Sequence, residues 1–339
     1  MRRNNIKEFE RKVSIITANY NGEKWLKDWL PSVFNQKYRK IEVIVVDNNS
    51  SDQSISYIEK NYPEVRILKN KVNNGFAKAN NQGALKARGE FLFLLNNDTK
   101  LFSNTITELV KTYKPKSILT AYQISMRDKK TGRAGAGSDI FGYPYVEINI
   151  PQTKIFYADG AALFIKKEDF IDIGMFDDEL FMFQEDIDLS WRAQIMGYQI
   201  IPCLNAKLYH YFGGTAEMKF KSGNKYTSSY FRRYLNERNV IRNILKNYSF
   251  PLIIFILIMM SILHIIEVLF FLLMRQFKVA ECYIKAYVWN IQNIKNTLEF
   301  RRAKVQKRRT VSDFTLMKRM YFFYAKLKIL PRVGIPDFQ

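Results

Sequence analysis

The chain is poor in cysteine, with only Cys203 and Cys282 and no Cys-x-x-Cys pair. That argues against a thiolate metal site and suits a reducing compartment. It also lacks a Gly-x-Gly-x-x-Gly dinucleotide turn and a Gly-x-x-x-x-Gly-Lys phosphate loop. A phosphate-bearing ligand therefore needs another source of charge neutralisation. No apolar stretch follows the basic start Met1-Arg-Arg, so we expect no secretory signal and a cytosolic N-terminal domain. Acidic residues are outnumbered, 32 Asp or Glu against 53 Lys or Arg, for a net charge of +21. From Arg275 onward the count is 15 Lys or Arg against 4 Asp or Glu, which suggests an anionic partner, either nucleic acid or a membrane surface. A disordered composition is absent too, since 47% of residues are hydrophobic and 15% aromatic. The 339 residues can bury a full α/β domain and leave an appendage over.

What is present is a repeated unit. Val13 to Thr17 reads as a buried strand and ends in Ala18-Asn19-Tyr20-Asn21-Gly22. Trp25, Leu26, Trp29, Leu30 and Val33 then recur at helical spacing, despite Pro31. Ile41 to Val46 is a second strand ending in Asp47-Asn48-Asn49-Ser50-Ser51-Asp52, and Ile55 and Ile58 belong to its helix. Val65 to Leu68 is a third, followed by Asn73-Asn74-Gly75 and an Ala-rich helix from Phe76 to Ala87. Phe91 to Leu95 is a fourth, breaking into Asn96-Asn97-Asp98. Strand–helix alternation of this length predicts βαβ units around a parallel sheet. Every strand ends in Asn, Asp or Gly, and in open α/β sheets ligands bind beyond those carboxyl ends. An Asx-rich turn would look the same at any one of them. A divalent cation held by Asp98 would neutralise a phosphate, because hard cations prefer oxygen ligands.

From Lys114 to about Phe156 the pattern is weak, and Gly132, Gly135, Gly137 and Gly142 predict a loop-rich insertion over the site. Asp159-Gly160 leads into a strand through Ile165. An aromatic run then ends in Glu185-Asp186-Ile187-Asp188 and opens a helix that closes near Gly197. Acidic residues in a first helical turn complement the dipole, so capping is one reading. The nearby Phe181 and Phe183 give another, since an apolar setting raises a carboxylate toward base-competent pKa values. Tyr198 to Pro202 and Ala206 to Tyr209 read as two short strands, the second ending at His210 before Gly213-Gly214-Thr215. His210 suits a ligand position or a packed one.

Taken together, these pieces resemble the inverting family 2 glycosyltransferases of GT-A fold. Within them the likeness is to the rhamnosyltransferase-like enzymes of bacterial surface-polysaccharide assembly. The matching segments are Thr17 to Asn21, Val46 to Asp52, Asn74 to Asn80, Asn96-Asn97-Asp98, Asp159-Gly160, Glu185 to Arg192 and His210. The resemblance implies a Rossmann-like, mostly parallel sheet with flanking helices. It implies a nucleotide-sugar donor (UDP-, dTDP- or GDP-linked) contacted by Thr17, Asn19, Tyr20, Asp47, Asn74, Gly75, Asn80, Asn96 and Asn97. Asp98 would hold Mg²⁺ or Mn²⁺, with His210 as a second ligand or a diphosphate contact. Asn96 stands where the family often has a first Asp. Asp186 would be the catalytic base beside Glu185. Asp159, Gly160, Asp188 and Trp191 would face the acceptor, a lipid-linked saccharide or a polysaccharide. The implied reaction moves a sugar, rhamnose or another deoxysugar among the candidates, with inversion and metal assistance. A catalytically silent scaffold and a basic nucleic-acid-binding protein are the alternatives. Nucleic acid is not the expected partner, because it leaves the polar strand ends unexplained. An oligomer is left open.

The expected organisation is a catalytic domain over 1–225, a basic linker helix over 226–249, membrane-associated helices over 250–300 and a basic tail over 301–339. Phe250 to Met274 is apolar except for Ser261, His264 and Glu267, long enough to span a bilayer. Glu267 would be costly in a span unless paired. The basic tail favours helices lying in the cytoplasmic leaflet over a single crossing, on the inner face of the plasma membrane and against anionic lipid.

Overall fold

The computed structural model describes residues 11–147, 150–212, 220–221 and 225–338. The Gly213-Gly214-Thr215 turn expected after His210 lies outside these residues, as does the start of the chain. Seven elements alternate as the sequence predicts: β1 (Val13–Asn19), α1 (Glu23–Phe34), β2 (Ile41–Asp47), α2 (Ser54–Asn61), β3 (Arg66–Lys69), α3 (Gly75–Lys86) and β4 (Phe91–Leu95). The strands are parallel in the order β3-β2-β1-β4. Successive residues of each strand enter opposite cores. Ile15, Val43, Val45, Phe91 and Phe93 join one, and Ile16, Ile44, Val46, Leu92 and Leu94 the other. Burial on both faces explains why these strands are continuous apolar runs.

The chain continues through β5 (Thr99–Leu101), α4 (Thr105–Thr112), β6 (Ser117–Ser125), β7 (Gly132–Arg133), β8 (Gly137–Ser138), β9 (Pro144–Tyr145), β10 (Ala162–Lys166), α5 (Lys167–Ile173), α6 (Glu185–Ile195) and β11 (Gln199–His210). The main sheet extends as β4-β10-β6-β11-β5, with β7 on β6. β10 is antiparallel to both β4 and β6, while β11 is parallel to β6. Two differences from expectation appear. The stretch from Lys114 holds a nine-residue central strand, β6, and only its later part is loop-rich. The two short strands expected before His210 are one strand, β11, with a register shift between Cys203 and Lys207.

After β12 (Phe220–Lys221) and β13 (Lys225–Ser228) come α7 (Tyr230–Asn247), α8 (Phe250–Leu273), α9 (Phe277–Gln292) and α10 (Ile294–Phe300). The helix expected from Tyr226 starts at Tyr230, where Ser229 accepts a hydrogen bond from the Arg232 N–H as an N-cap. α11 (Asp313–Met317), α12 (Ala325–Val333) and β14 (Asp337–Phe338) complete the chain. The last segment is folded against the body. Ala325 N–H donates to Asp139, and Thr310 and Val311 N–H both donate to Ile195. α8 buries Ile253, Ile256, Met260, His264 and Phe271 and leaves most of its apolar surface exposed. Full burial of an aliphatic side chain contributes about 1.5–3 kcal/mol, so these contacts dock α8 firmly. Glu267 is paired with Lys326 at 2.9 Å and accepts from Tyr283 at 2.7 Å. His264 is packed between Tyr143 and Tyr287.

Candidate active site

Strand direction gathers the polar ends at one edge. β1, β2, β4, β6 and β11 all run the same way, so Asn19, Asp47, Asn96, Ser125 and His210 reach it from their carboxyl ends. β10 runs in the opposite sense, so the turn that precedes it, Asp159-Gly160, arrives at that edge too. A cavity of about 930 Å³ opens there, lined by Asn96, Asp98, Asp159, Gly160, Glu185, Asp186 and His210. Seven residues proposed from dispersed motifs thus share one cavity.

Asp98 is 1% exposed, and its Oδ1 lies 3.4 Å from His210 Nε2. His210 Nδ1 is 2.7 Å from the Gln123 Oε1 acceptor. With the proton on Nδ1 facing that amide oxygen, Nε2 carries the lone pair toward Asp98. Adjacent ligands of an octahedral Mg²⁺ at about 2.1 Å would stand about 3 Å apart, close to this spacing. Among the described residues no group of three or more His, Cys, Asp or Glu forms a metal cage. Two ligands fit an ion that completes its shell with substrate phosphate and water, as Mg²⁺ commonly does. Asn96 lines the same cavity, and its backbone N–H donates to Ala161 across the sheet.

Four carboxylates near this edge are set apart by their partners. Asp186 is half-buried, and its Oδ2 accepts from Gly160 N–H at 3.0 Å while Oδ1 accepts from Ile187 N–H at 2.8 Å. Burial and the neighbouring Asp159 push its pKa up to about 7 against the pull of those two donors. Glu185, buried beside it, is pushed well above the carboxylate range by burial and by Asp186. Burial works against ionised Asp159 too, but the Arg133 guanidinium at 2.7 Å holds its pKa below the usual value. Asp188 is also held low against burial, by Arg192 and Lys246, each 2.9 Å away.

The expected nucleotide residues form a connected row beside the cavity. Asn97 Nδ2 donates to Asn19 Oδ1 at 2.9 Å, and Asn19 Nδ2 donates to Asp47 Oδ1 at 3.0 Å. Ser50 adds two bonds to Asp47, from its N–H and its hydroxyl. Tyr20 is 53% exposed beside this row, whereas Thr17 is fully buried beneath it. Asn48, which the motif reading left without a role, accepts from Asn74 N–H and donates to the Gly75 carbonyl. Gly75 has φ +79°, and a Cβ there would meet Phe181 at 2.5 Å. Asn80 is buried and donates to Phe76 O.

Two expected acceptor residues lie elsewhere. Asp188 is fully buried in its ion pairs, and Trp191 is buried edge-on against Phe156 and Tyr248. Both sit on the core side of α6, where helical spacing turns them away from the face of Asp186. Sequence reasoning missed Gln123, Arg133 and a group of residues on α7. Phe181, Phe183 and Gln184 all have positive φ (62°, 68°, 71°) just before α6. Asn239 Nδ2 donates to the carbonyls of Leu180, Met182 and Phe183. Arg238 adds bonds to Glu179 and Leu180, and Asn243 one to Gln184. No local signal marks the α7 residues, because their partners in this loop are more than fifty positions away.

Residues 14–174 match the profile described as Glycosyl transferase family 2. The poly-beta-1,6-N-acetyl-D-glucosamine synthase of Staphylococcus epidermidis is 26% identical over 195 residues, 56% of this chain and 47% of that protein. The chain spans about half the length of the curated relatives it matches. Among solved structures, the mannosyltransferase PcManGT from Pyrobaculum calidifontis, in complex with GDP-Man and Mn²⁺, has a TM-score of 0.52 and 16% identity. It covers 91% of this chain and 84% of its own. GalNAc-T7 with UDP, GalNAc and Mn²⁺ has a TM-score of 0.55 and 18% identity over 69% of this chain and 47% of that one. The chain thus has a GT-A-like fold, and the residues that match the family 2 glycosyltransferase profile include the strand ends Asn19 and Asp47 and the carboxylate Asp98.

Proposed function

We propose that this protein is an inverting glycosyltransferase that moves a sugar from a nucleoside diphosphate to a hydroxyl of a lipid-linked saccharide. The observation that carries this reading is Asp186, a half-buried carboxylate oriented by Gly160 N–H, on the same cavity as the Asp98–His210 pair. The solved neighbours named above hold GDP-Man or UDP together with Mn²⁺, which supports a nucleotide-sugar donor. Asn19, Asp47 and Asn97 would receive the nucleotide, with Tyr20 exposed to lie against it and Gly75 giving close backbone approach.

Asp98 and His210 would hold Mg²⁺ or Mn²⁺. When bound, the ion supplies Lewis-acid stabilisation of the diphosphate leaving group. Asp186 takes the proton of the acceptor hydroxyl as that oxygen bonds to the anomeric carbon. The bond from that carbon to the diphosphate breaks on the opposite face, so the configuration inverts. Burial and the neighbouring Asp186 both disfavour ionised Glu185, so Asp186, held by two backbone N–H donors, is the carboxylate we assign as base. Arg133 keeps Asp159 ionised, and the two orient the Gly160 turn against Asp186.

We assign the protein to the cytoplasmic face of a bacterial inner membrane, with α8 lying in the leaflet and the basic surplus against anionic lipid. Rhamnose or another deoxysugar is the transferred unit suggested by the motif pattern. A thermal-shift screen of UDP, dTDP and GDP with and without Mn²⁺ tests the site without turnover. We expect one nucleotide to raise the melting temperature in an Mn²⁺-dependent way, and Asp98→Asn to remove that dependence. No stabilisation by any of the three would overturn the reading. Release of the nucleotide from dTDP-rhamnose and from UDP- and GDP-sugars, with a saccharide acceptor present, then identifies the donor.

A further inference from the structure

A second cavity of about 450 Å³ adjoins the catalytic one. Pro144, Arg232 and Asn236 line both, so the two meet across these three residues. The outer wall of the second cavity is apolar: Ile266 and Phe270 of α8 on one side, Leu327, Leu330 and Ile335 on the other. Its inner end is charged. Glu237 pairs with Arg233 at 3.0 Å and with Lys326 at 2.8 Å, and Lys326 reaches Glu267 at 2.9 Å. Arg232 stands at the junction with its guanidinium 4.9 Å from the Phe183 ring, two residues before the loop reaches Glu185. Polarity therefore changes along one path, from an apolar mouth through a cationic neck to the carboxylates of the catalytic cavity.

The mouth opens beside surface that water would not favour. Ile262, Ile266, Leu269 and Phe270 of α8 are each more than 40% exposed, as is Leu327 across the cavity. A water-soluble saccharide would gain nothing from such a wall, whereas an amphipathic acceptor would bury hydrocarbon there. The volume lies within the range of a single ligand pocket. At about 450 Å³ it stands toward the small end of that range, which suits one chain and not the paired chains of a phospholipid.

Building on the glycosyltransferase reading above, we propose that this second cavity holds the hydrocarbon chain of a single-chain lipid phosphate that carries the acceptor saccharide. Arg232 meets the phosphate at the neck, where a guanidinium can bind two of its oxygens. The saccharide extends past Asn236 and Phe183 to present its hydroxyl to Asp186. Entry is lateral, from the leaflet in which α8 lies.

Photo-crosslinking of the full chain in phosphatidylcholine nanodiscs tests this, using an isoprenyl phosphate with a diazirine at the distal end of its chain. The expected result is labelling concentrated on peptides carrying Phe270, Leu327 and Leu330. Excess untagged isoprenyl phosphate should compete it away, and Leu330→Trp should lower it by about tenfold. Ile335→Trp, on the same wall, gives a second reading if the first variant melts early. Labelling spread along the exposed face of α8 at Phe255, Ile258 and Ile262, unchanged by either variant, would overturn the proposal. So would equal labelling of the cavity by a diazirine-tagged phosphatidylcholine. Loss of nucleotide-induced stabilisation would instead count against the glycosyltransferase reading, and the crosslink pattern stays readable either way.

Discussion

Asp186 sits in a field that its neighbours adjust. Burial and Asp159 raise its pKa to about 7, and the Gly160 and Ile187 N–H groups restrain the rise. A base works only when deprotonated, so kcat/KM should climb with pH through about 7 and level off above it. Asp159→Asn removes a like charge and frees the Arg133 cation, and both changes favour ionised Asp186. The acid limb of the pH profile should therefore move to lower pH, and a limb that stays put or moves up would show that Asp159 does not face the base. Asp186→Asn should lower kcat by about 10²–10⁴, with nucleotide binding kept. Unchanged turnover would remove Asp186 from the base role. At this scale the sequence was informative where a motif is local. Asp98 and Asp186 could be picked out because each follows a recognisable strand or opens a helix. Gln123 could not, because a buried glutamine in mid-strand has no meaning until His210 is placed 2.7 Å from it.

At the scale of elements, what was hidden is the part that long-range contacts build. β6 was unreadable as a strand because Thr120 and Gln123, both fully buried, interrupt its apolar run. β11 looked like two strands because the register shift between Cys203 and Lys207 breaks its alternation. The first four strands needed no such context, since burial on both faces leaves an uninterrupted apolar signature. α7 had a readable basic and aromatic character but no readable task. Its Asn239 holds a loop with three positive-φ non-glycine residues, each costing of the order of 1–3 kcal/mol when unsupported. Asn239→Leu should let that loop relax, lowering kcat and shifting the pH profile of Asp186, while Asn239→Asp should lose the same donors. A variant that only lowers the melting temperature would make Asn239 a stabiliser and not a positioning residue. The same loop limits Gly75. Gly75→Ala would drive a Cβ into Phe181, so we expect weaker nucleotide stabilisation in the thermal-shift assay. Further along α7, Lys246 is fully buried between Asp177 at 2.6 Å and Asp188 at 2.9 Å. Lys246→Met leaves two carboxylates with less compensation, a loss of about 3–5 kcal/mol measurable by urea unfolding.

For the whole molecule the question is how a helix of 24 apolar residues relates to the body beside it. A 24-residue helix is about 36 Å long, enough to cross a hydrocarbon core of about 30 Å. A crossing, however, would carry its two ends to opposite sides. Near its start, Ile253 and Ile256 pack in a cluster with Val240, Ile244 and Tyr248 of the body. Near its end, Phe271 packs with Val279, Ala280 and Tyr283 of α9, a helix that itself lies along α7. Both ends are therefore held by one body, and Glu267 is neutralised within it by Lys326. The exposed side between the two ends, including Ile258, Ile262, Ile266 and Leu269, is then free to enter one leaflet in the plane of the membrane. The native cysteines Cys203 and Cys282 are buried, so introduced cysteines report with little background. Phe250→Cys and Met274→Cys should each react with a membrane-impermeant maleimide from the same face of sealed inverted vesicles, and neither should need permeabilisation. Labelling of the two positions from opposite faces would establish a crossing helix, separate Ile253 from Phe271 by a bilayer, and require the body to come apart at α8.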